Sequence, residues 1–382
     1  MVRSLPSFTN LFPLIALVVA SGPAAFAGEP PHVQRFIRVG PLPGDVGSTL
    51  TAISGNGHRA AGISFDDRGG EYGFWWSQTT GVVPLRGAAL GDRPSPMGLS
   101  FDGALITGGV FQGFESIDAA WWMVPGPSTA NMMGEVDLEQ PGSTEGLDMS
   151  ADGSVIVGIA DACTCDLASQ AFRWTREGGM EGLGWFESDE APFYSRAHAV
   201  NADGSVIVGV GEVDVDTNDD GIPDDRLRLA MRYTDRDGME NLGDLMGGRA
   251  DSRAFDVTAD GSLIVGAGTT AEGPEAFVWA DGGIQTLGDL PGGIFGSEAR
   301  GVSADGSVIV GFGEGPDGGE AVVWIDGAIH ALRALVIEAG YDLDAHQFSL
   351  DAALDVSDDG RSIVGRGVQQ GRDTGWIIRL AR

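Results

Sequence analysis

Three aspartates raise the prospect of acid–base chemistry. Asp148, Asp256 and Asp355 stand at one place in separate copies of a recurring segment, and His198 and Arg300 occupy neighbouring places in two other copies. Carboxyls set across a cleft can hydrolyse a glycosidic bond, one as acid and the other as base or nucleophile. Recurrence also supports a plainer role, in which each carboxylate is satisfied by backbone amides as part of the repeat. The five histidines show no HxxxH or similar spacing that would form a metal triad, and no serine sits in a nucleophile elbow. No catalytic residue is therefore assigned. A glycan-acting hydrolase or lyase working through channel carboxylates stands as the alternative to a non-catalytic binding module.

The elements that would position these residues are repeats. The segment Val302-Ser303-Ala304-Asp305-Gly306-Ser307-Val308-Ile309-Val310-Gly311 has near copies at Met149–Gly158, Val200–Gly209, Val257–Gly266 and Val356–Gly365, and looser ones at Ile53–Gly62 and Leu99–Gly108. That makes seven units. In each, an apolar stretch meets an Asp-Gly or Asn-Gly turn, where glycine supplies the positive φ of a tight hairpin. A β-branched strand follows, then an aromatic strand such as Ala276-Phe277-Val278-Trp279, then a closing strand such as Ile284-Gln285-Thr286-Leu287. Helical periodicity is confined to a possible turn around Ala331–Ala339. Four short antiparallel strands per unit predict an all-β fold, a seven-bladed β-propeller. The seventh unit stops after its third strand, whereas Phe36–Gly44 resembles the closing strand and Leu-Pro-Gly loop of later units. The N-terminal strand is therefore expected to complete the last blade, which removes a sheet edge.

The aromatic strand, the Leu287–Gly293 segment and the Asp-Gly-Ser-Val-Ile-Val-Gly strand together resemble HAF-repeat extracellular proteins of bacteria. The histidine that names that family is replaced here by Gln170, Leu229, Glu275 and Glu320. The resemblance implies an exported repeat protein and carries no activity with it. A second resemblance lies inside the fourth unit. Asp216-Thr217-Asn218-Asp219-Asp220-Gly221-Ile222-Pro223-Asp224-Asp225 is similar to the Asp-rich calcium loops of thrombospondin type 3 repeats and EF-hand-like motifs. Asp216, Asn218, Asp220 and Asp224 would offer side-chain oxygens at loop positions 1, 3, 5 and 9, and Ile222 a carbonyl at position 7. Leu227 stands where a bidentate acid belongs, with Asp225 or Asp214 as substitutes. Ca2+ would stiffen this insertion, and a merely solvated acidic loop is the other reading.

Eight of the nine tryptophans fall on third strands, which points to packing between blades. Trp185 is the exception. It opens an aromatic inter-blade loop with Phe193 and Tyr194, and these three are the candidate ligand contacts. Cys163 and Cys165 are spaced as a local staple or a weak soft-metal pair, and their bonding state is open.

Composition narrows the classes. Residues 1–27 read as a secretory signal peptide, with Arg3, an apolar run from Leu11 to Ala20, and cleavage after Ala27. Residues 28–382 would then form one propeller domain, secreted or periplasmic. The net charge is −32, every basic residue is arginine, and such a field repels nucleic acid and anionic membranes. No second apolar run is long enough to span a bilayer. The expected protein is a monomer that binds an extracellular glycan or protein, or that serves as a surface or matrix element.

Overall fold

A computed structural model describes residues 31–112, 116–126, 128–134, 141–162, 168–186, 194–215 and 225–381. The expected signal peptide, the two cysteines, Phe193 and the 216–224 loop lie outside these residues. Seven four-stranded antiparallel sheets make up the described residues, together with one short helix, Leu332–Glu338. Six sheets take their strands in chain order. In the seventh, His32–Val39 pairs antiparallel with Arg372–Ala381, so the N-terminal strand closes the ring as its sequence implied. The Val-Ile-Val runs and aromatic strands pair in register within each blade, for example Ile309 against Trp324 and Val310 against Val323.

The innermost strands line the central channel. They are Gly47–Ile53, Arg93–Leu99, Pro141–Met149, Ser195–Val200, Arg253–Val257, Ser297–Val302 and Ala352–Val356. Each carries a β-bulge, at Thr51, Met97, Leu147, His198, Phe255, Arg300 and Leu354 in turn. A bulge adds an unpaired residue and re-aims its side chain. Here it turns one side chain per blade into the channel, and six of the seven are partly exposed within otherwise mostly buried strands.

The bulge explains the last glycine of every Val-Ile-Val-Gly strand. A Cβ on Gly311 would lie 1.9 Å from the Glu298 carbonyl oxygen, and on Gly62, Gly108, Gly158, Gly209 and Gly266 it would meet the corresponding oxygen at 1.9 to 2.0 Å. No side chain fits there, so the glycine is required by close approach rather than by φ. The Asp-Gly turns need glycine for the other reason, since Gly306 has φ +74°. Next to it, the Asp305 carboxylate accepts from the Ser303 and Ser307 hydroxyls and the Ser307 amide, which locks the turn.

Tryptophans seal the seams between blades. The indole N–H of Trp122 donates to the Arg86 carbonyl, Trp174 to Met133 and Trp324 to Leu287, each in the preceding blade. The helix follows the sixth blade, burying Leu332, Leu335 and Val336 in a cluster that includes Trp376 and Ile378 of the last blade.

Gly311→Ala is expected to cost about 3 kcal/mol or to block folding, because the colliding atom is backbone and cannot rotate away. Gly40, whose Cβ would meet nothing within 4 Å, supplies the control. Urea unfolding of the two alanine variants checks this, and equal stability would contradict the account.

Candidate functional site in the central channel

One position beyond each bulge, the innermost strands carry either an aspartate or a small residue. Around the ring these are Ala52, Gly98, Asp148, Ala199, Asp256, Gly301 and Asp355. Each aspartate reaches across a seam. Asp148 accepts the Val200 amide of the next blade at 2.9 Å, Asp256 accepts Val302 at 2.8 Å, and Asp355 accepts Ile53 at 2.8 Å. The second oxygen of Asp256 takes the Val257 amide at 2.7 Å, and that of Asp355 takes Val356 at 2.7 Å. The small residues make room for this arrangement. A Cβ on Gly98 would stand 2.9 Å from the Asp148 Cα, and on Gly301 3.2 Å from the Asp355 Cα.

Burial dominates the electrostatics of these three groups. Loss of solvent raises Asp148 to about 6 and Asp355 to about 7, against the opposing pull of the amide bonds. Asp256 is pushed well above the ordinary carboxylate range, first by burial and then by the charges of Asp355 and Asp148. The sequence placed these aspartates near His198 and Arg300, and all five line one channel cavity of about 200 Å³.

A second tier of residues, joined by backbone hydrogen bonds, also lines that cavity. The amides of Phe101, Ala151, Ala202, Ala259 and Ala304 donate to the carbonyls of Ala151, Ala202, Ala259, Ala304 and Asp358 in turn. Asp358 then donates to Gly55, and Asn56 to Phe101, so seven bonds of 2.8 to 3.3 Å encircle the channel. Gly55 is tightly surrounded, as its Cβ would stand 2.5 Å from the Asp358 carboxylate and 2.6 Å from the Phe101 ring, side chains that a larger residue would have to displace.

The bulge side chains divide the wall in two. Leu354, Thr51, Met97 and Leu147 form an arc that is apolar but for the Thr51 hydroxyl; His198, Phe255 and Arg300, from three consecutive blades, form a stack. The His198 and Phe255 rings are 5.5 Å apart at 25°, and the Arg300 guanidinium lies 4.4 Å from the Phe255 centroid. His198 Nδ1 is 2.7 Å from the Ala254 carbonyl, which only accepts, so Nδ1 carries the proton. Burial holds the imidazole neutral, with a pKa of about 4. Nε2 is therefore an acceptor. Arg300 also pairs with Glu298 on its own strand. Sequence reasoning missed Phe255 and the apolar arc, although one signal was available: each sits immediately before the recurring Asp or small residue.

The aromatic candidates are placed elsewhere. Trp185 donates its indole N–H to the Ser169 carbonyl at 3.0 Å, and Tyr194 bridges Ser169 and lies 5.5 Å beneath the Arg228 guanidinium. The structure thus gathers Trp185 and Tyr194 around one backbone residue. Beside the 216–224 loop, both substitute ligands face arginines, Asp214 with Arg226 at 2.7 Å and Asp225 with Arg249 at 2.6 Å. Among the described residues, no group of three or more His, Cys, Asp or Glu is arranged to hold a metal ion, and no helix is long and apolar enough to cross a membrane.

The fold and channel define the class, a seven-bladed β-propeller with a closed ring. Solved propellers share the architecture at low identity. The chain is 13% identical to the β-propeller domain of the Trilobed protease from Pyrococcus furiosus, with a TM-score of 0.51, covering 86% of this chain and 95% of that one. That domain has an open velcro topology, unlike the closed ring here. Against a prolyl endopeptidase the identity is 11% and the TM-score 0.52, and the chain spans 47% of that protein. TolB from Acinetobacter baumannii matches at 12% identity and a TM-score of 0.45, with 63% of its length spanned. No protein-family model and no curated protein sequence matches the chain.

Asp355→Asn keeps one acceptor and turns an amide N–H toward the other donor, which is expected to cost about 1–3 kcal/mol. The cost should depend on pH. Native Asp355 keeps its proton up to about 7 while the unfolded chain releases it near 3.8, so this group's contribution falls as pH rises between those values. His198 works in the opposite sense, losing stability as pH falls from 6.5 toward 4, so the readout is the difference between variant and wild type. Urea unfolding should show a larger cost at pH 4.5 than at pH 7.5; a cost that grows with pH would mean the carboxylate is held as the anion.

Proposed function

We propose that the protein is an exported, non-catalytic binding propeller that uses the channel and the loops around it to hold an extracellular ligand. The observation that supports this is the engagement of the channel carboxylates. A general acid or nucleophile must meet its substrate, whereas Asp148, Asp256 and Asp355 each spend an oxygen on the amide of the neighbouring blade. Export rests on the signal-like segment of residues 1–27 and on the HAF-repeat resemblance. The acidic surface, with a net charge of −32, favours solubility and repels polyanions.

A glycan-acting enzyme is the second reading. It is favoured by the raised carboxyls of Asp148 and Asp355 beside His198 and Arg300, since acids tuned toward neutrality are what glycoside chemistry uses. Incubation of the purified protein with oligosaccharide libraries, followed by product analysis, separates the two. No product is expected. Turnover abolished by Asp148→Asn and Asp355→Asn with the fold intact would overturn the non-catalytic reading.

Calcium at Asp216, Asn218, Asp220, Ile222 and Asp224 belongs to the same proposal. With Asp214 and Asp225 facing arginines, the ion would draw on these five donors and water. Calcium at a hundredfold excess over its Kd should stabilise the protein by about 2.7 kcal/mol. Melting with and without EDTA checks this, and identical curves would dismiss the ion.

A further inference from the structure

The channel wall carries apolar side chains on one side and a donor and an acceptor on the other, and Arg196, Arg253 and Arg300 on its strands are each paired with a carboxylate. On one side stand Met97, Leu147 and Leu354; on the other stand an acceptor, His198 Nε2, and a donor, the Arg300 guanidinium, on either side of Phe255. Arg300 is neutralised by Glu298 on its own strand, Arg253 by Asp251 at 3.4 Å, and Arg196 by Glu145 of the neighbouring blade at 3.6 Å. A guanidinium has five N–H donors, so one carboxylate partner leaves Arg300 others to offer. Thr51 adds no free donor, because its hydroxyl lies 2.8 Å from the Pro96 carbonyl.

Charge and size then select the ligand. No cation is left without an acid partner among Arg196, Arg253 and Arg300, and the whole chain is strongly anionic, so an organic anion would gain little and be repelled on approach. A cation would find Asp148, Asp256 and Asp355 already bonded to amides, and burial shifts all three, and Asp358 beside them, toward the neutral acid. A hydrocarbon would leave Nε2 and the guanidinium stripped of water without partners, which is costly. What fits is a neutral molecule with hydroxyls on its rim and C–H groups on one face. The cavity of about 200 Å³ is below the roughly 300–1,000 Å³ of drug-sized sites, which limits the ligand to about one ring.

We infer that the channel is a binding site for one neutral sugar ring, whose hydroxyls donate to His198 Nε2 and accept from Arg300 while its C–H face rests on Met97, Leu147 and Leu354. This rests on the binding reading above and names its ligand class. The ring is either a free monosaccharide or the terminal unit of a chain entering the channel, since both present the same hydroxyls.

Isothermal titration tests the inference with glucose, galactose, mannose and N-acetylglucosamine, their β-linked disaccharides, and glucuronate as the charged arm. At least one neutral sugar should bind, with glucuronate at least tenfold weaker than glucose. A disaccharide tighter than its monosaccharide would point to a chain end, and equal affinity to a free sugar. Two variants preserve the packing against Phe255: His198→Phe removes the acceptor and Arg300→Met removes the donors. Each should weaken binding at least tenfold, with cooperative unfolding retained and a melting temperature lowered only by the loss of the His198–Ala254 or Arg300–Glu298 contact. Absence of binding by every neutral sugar at 10 mM, tighter binding of glucuronate, or unchanged affinity in both variants would overturn the inference. Failure here leaves the non-catalytic reading standing, whereas a sugar that binds and is also cleaved would defeat that reading and keep the site.

Discussion

The seven bulges in the innermost strands are the constraint on which the rest of the structure depends. A propeller must bring one strand edge from every blade to a common axis, and here every one of those strands is bulged. Each bulge turns one residue inward and pushes the carbonyl two residues before it toward the second strand. That strand answers with glycine, because a Cβ would lie within about 2 Å of the oxygen in every blade, from Thr49 in the first to Ala352 in the last. One backbone irregularity thus accounts for a sequence signature, a channel lining and the position of the seam residues.

Seam closure follows from the same geometry. The residue after the bulge points at the neighbouring blade, where an aspartate can take a free amide and a small residue can admit the neighbour's backbone. Asp148, Asp256 and Asp355 clamp three alternate seams, and a ring of seven blades cannot complete such an alternation. Blade 2 is left over and carries Gly98, against which the backbone of Asp148 packs. The backbone ring from Gly55 to Asp358 joins all seven blades around the channel. Buried carboxyls with raised pKa values are thus compatible with a structural role. Desolvation lifts them, while the amides they accept keep them in place.

Much of this was legible in the sequence. Asp-Gly turns, β-branched strands and tryptophans at fixed offsets disclosed seven units, and the unpaired Phe36–Gly44 strand disclosed how the ring closes. The recurrence of Asp148, Asp256 and Asp355 suggested amide-satisfied carboxylates, and the structure supplies those amides. The channel stack was less legible. His198 and Arg300 were placed beside the aspartates by their position in the repeat, but Phe255 shares that position without a polar group to draw notice, and the register shift shows that the three stack in one space. The Val-Ile-Val-Gly glycine was visible as a signature, but its reason was not, because the opposing carbonyl belongs to another strand. Trp185 stood out as an aromatic in a loop, yet its N–H is taken by Ser169 of its own blade.

The central claim is that the channel carboxylates are structural clamps closed by the bulged strands. Amide hydrogen exchange at Ile53, Val200 and Val302, followed residue by residue at pH 7, tests it most directly. These amides should exchange only through global unfolding, with protection equal to that of core amides such as Val310 and Val323. Exchange at the rate of surface loops would show the carboxylates free to leave the seams, and would contradict the account.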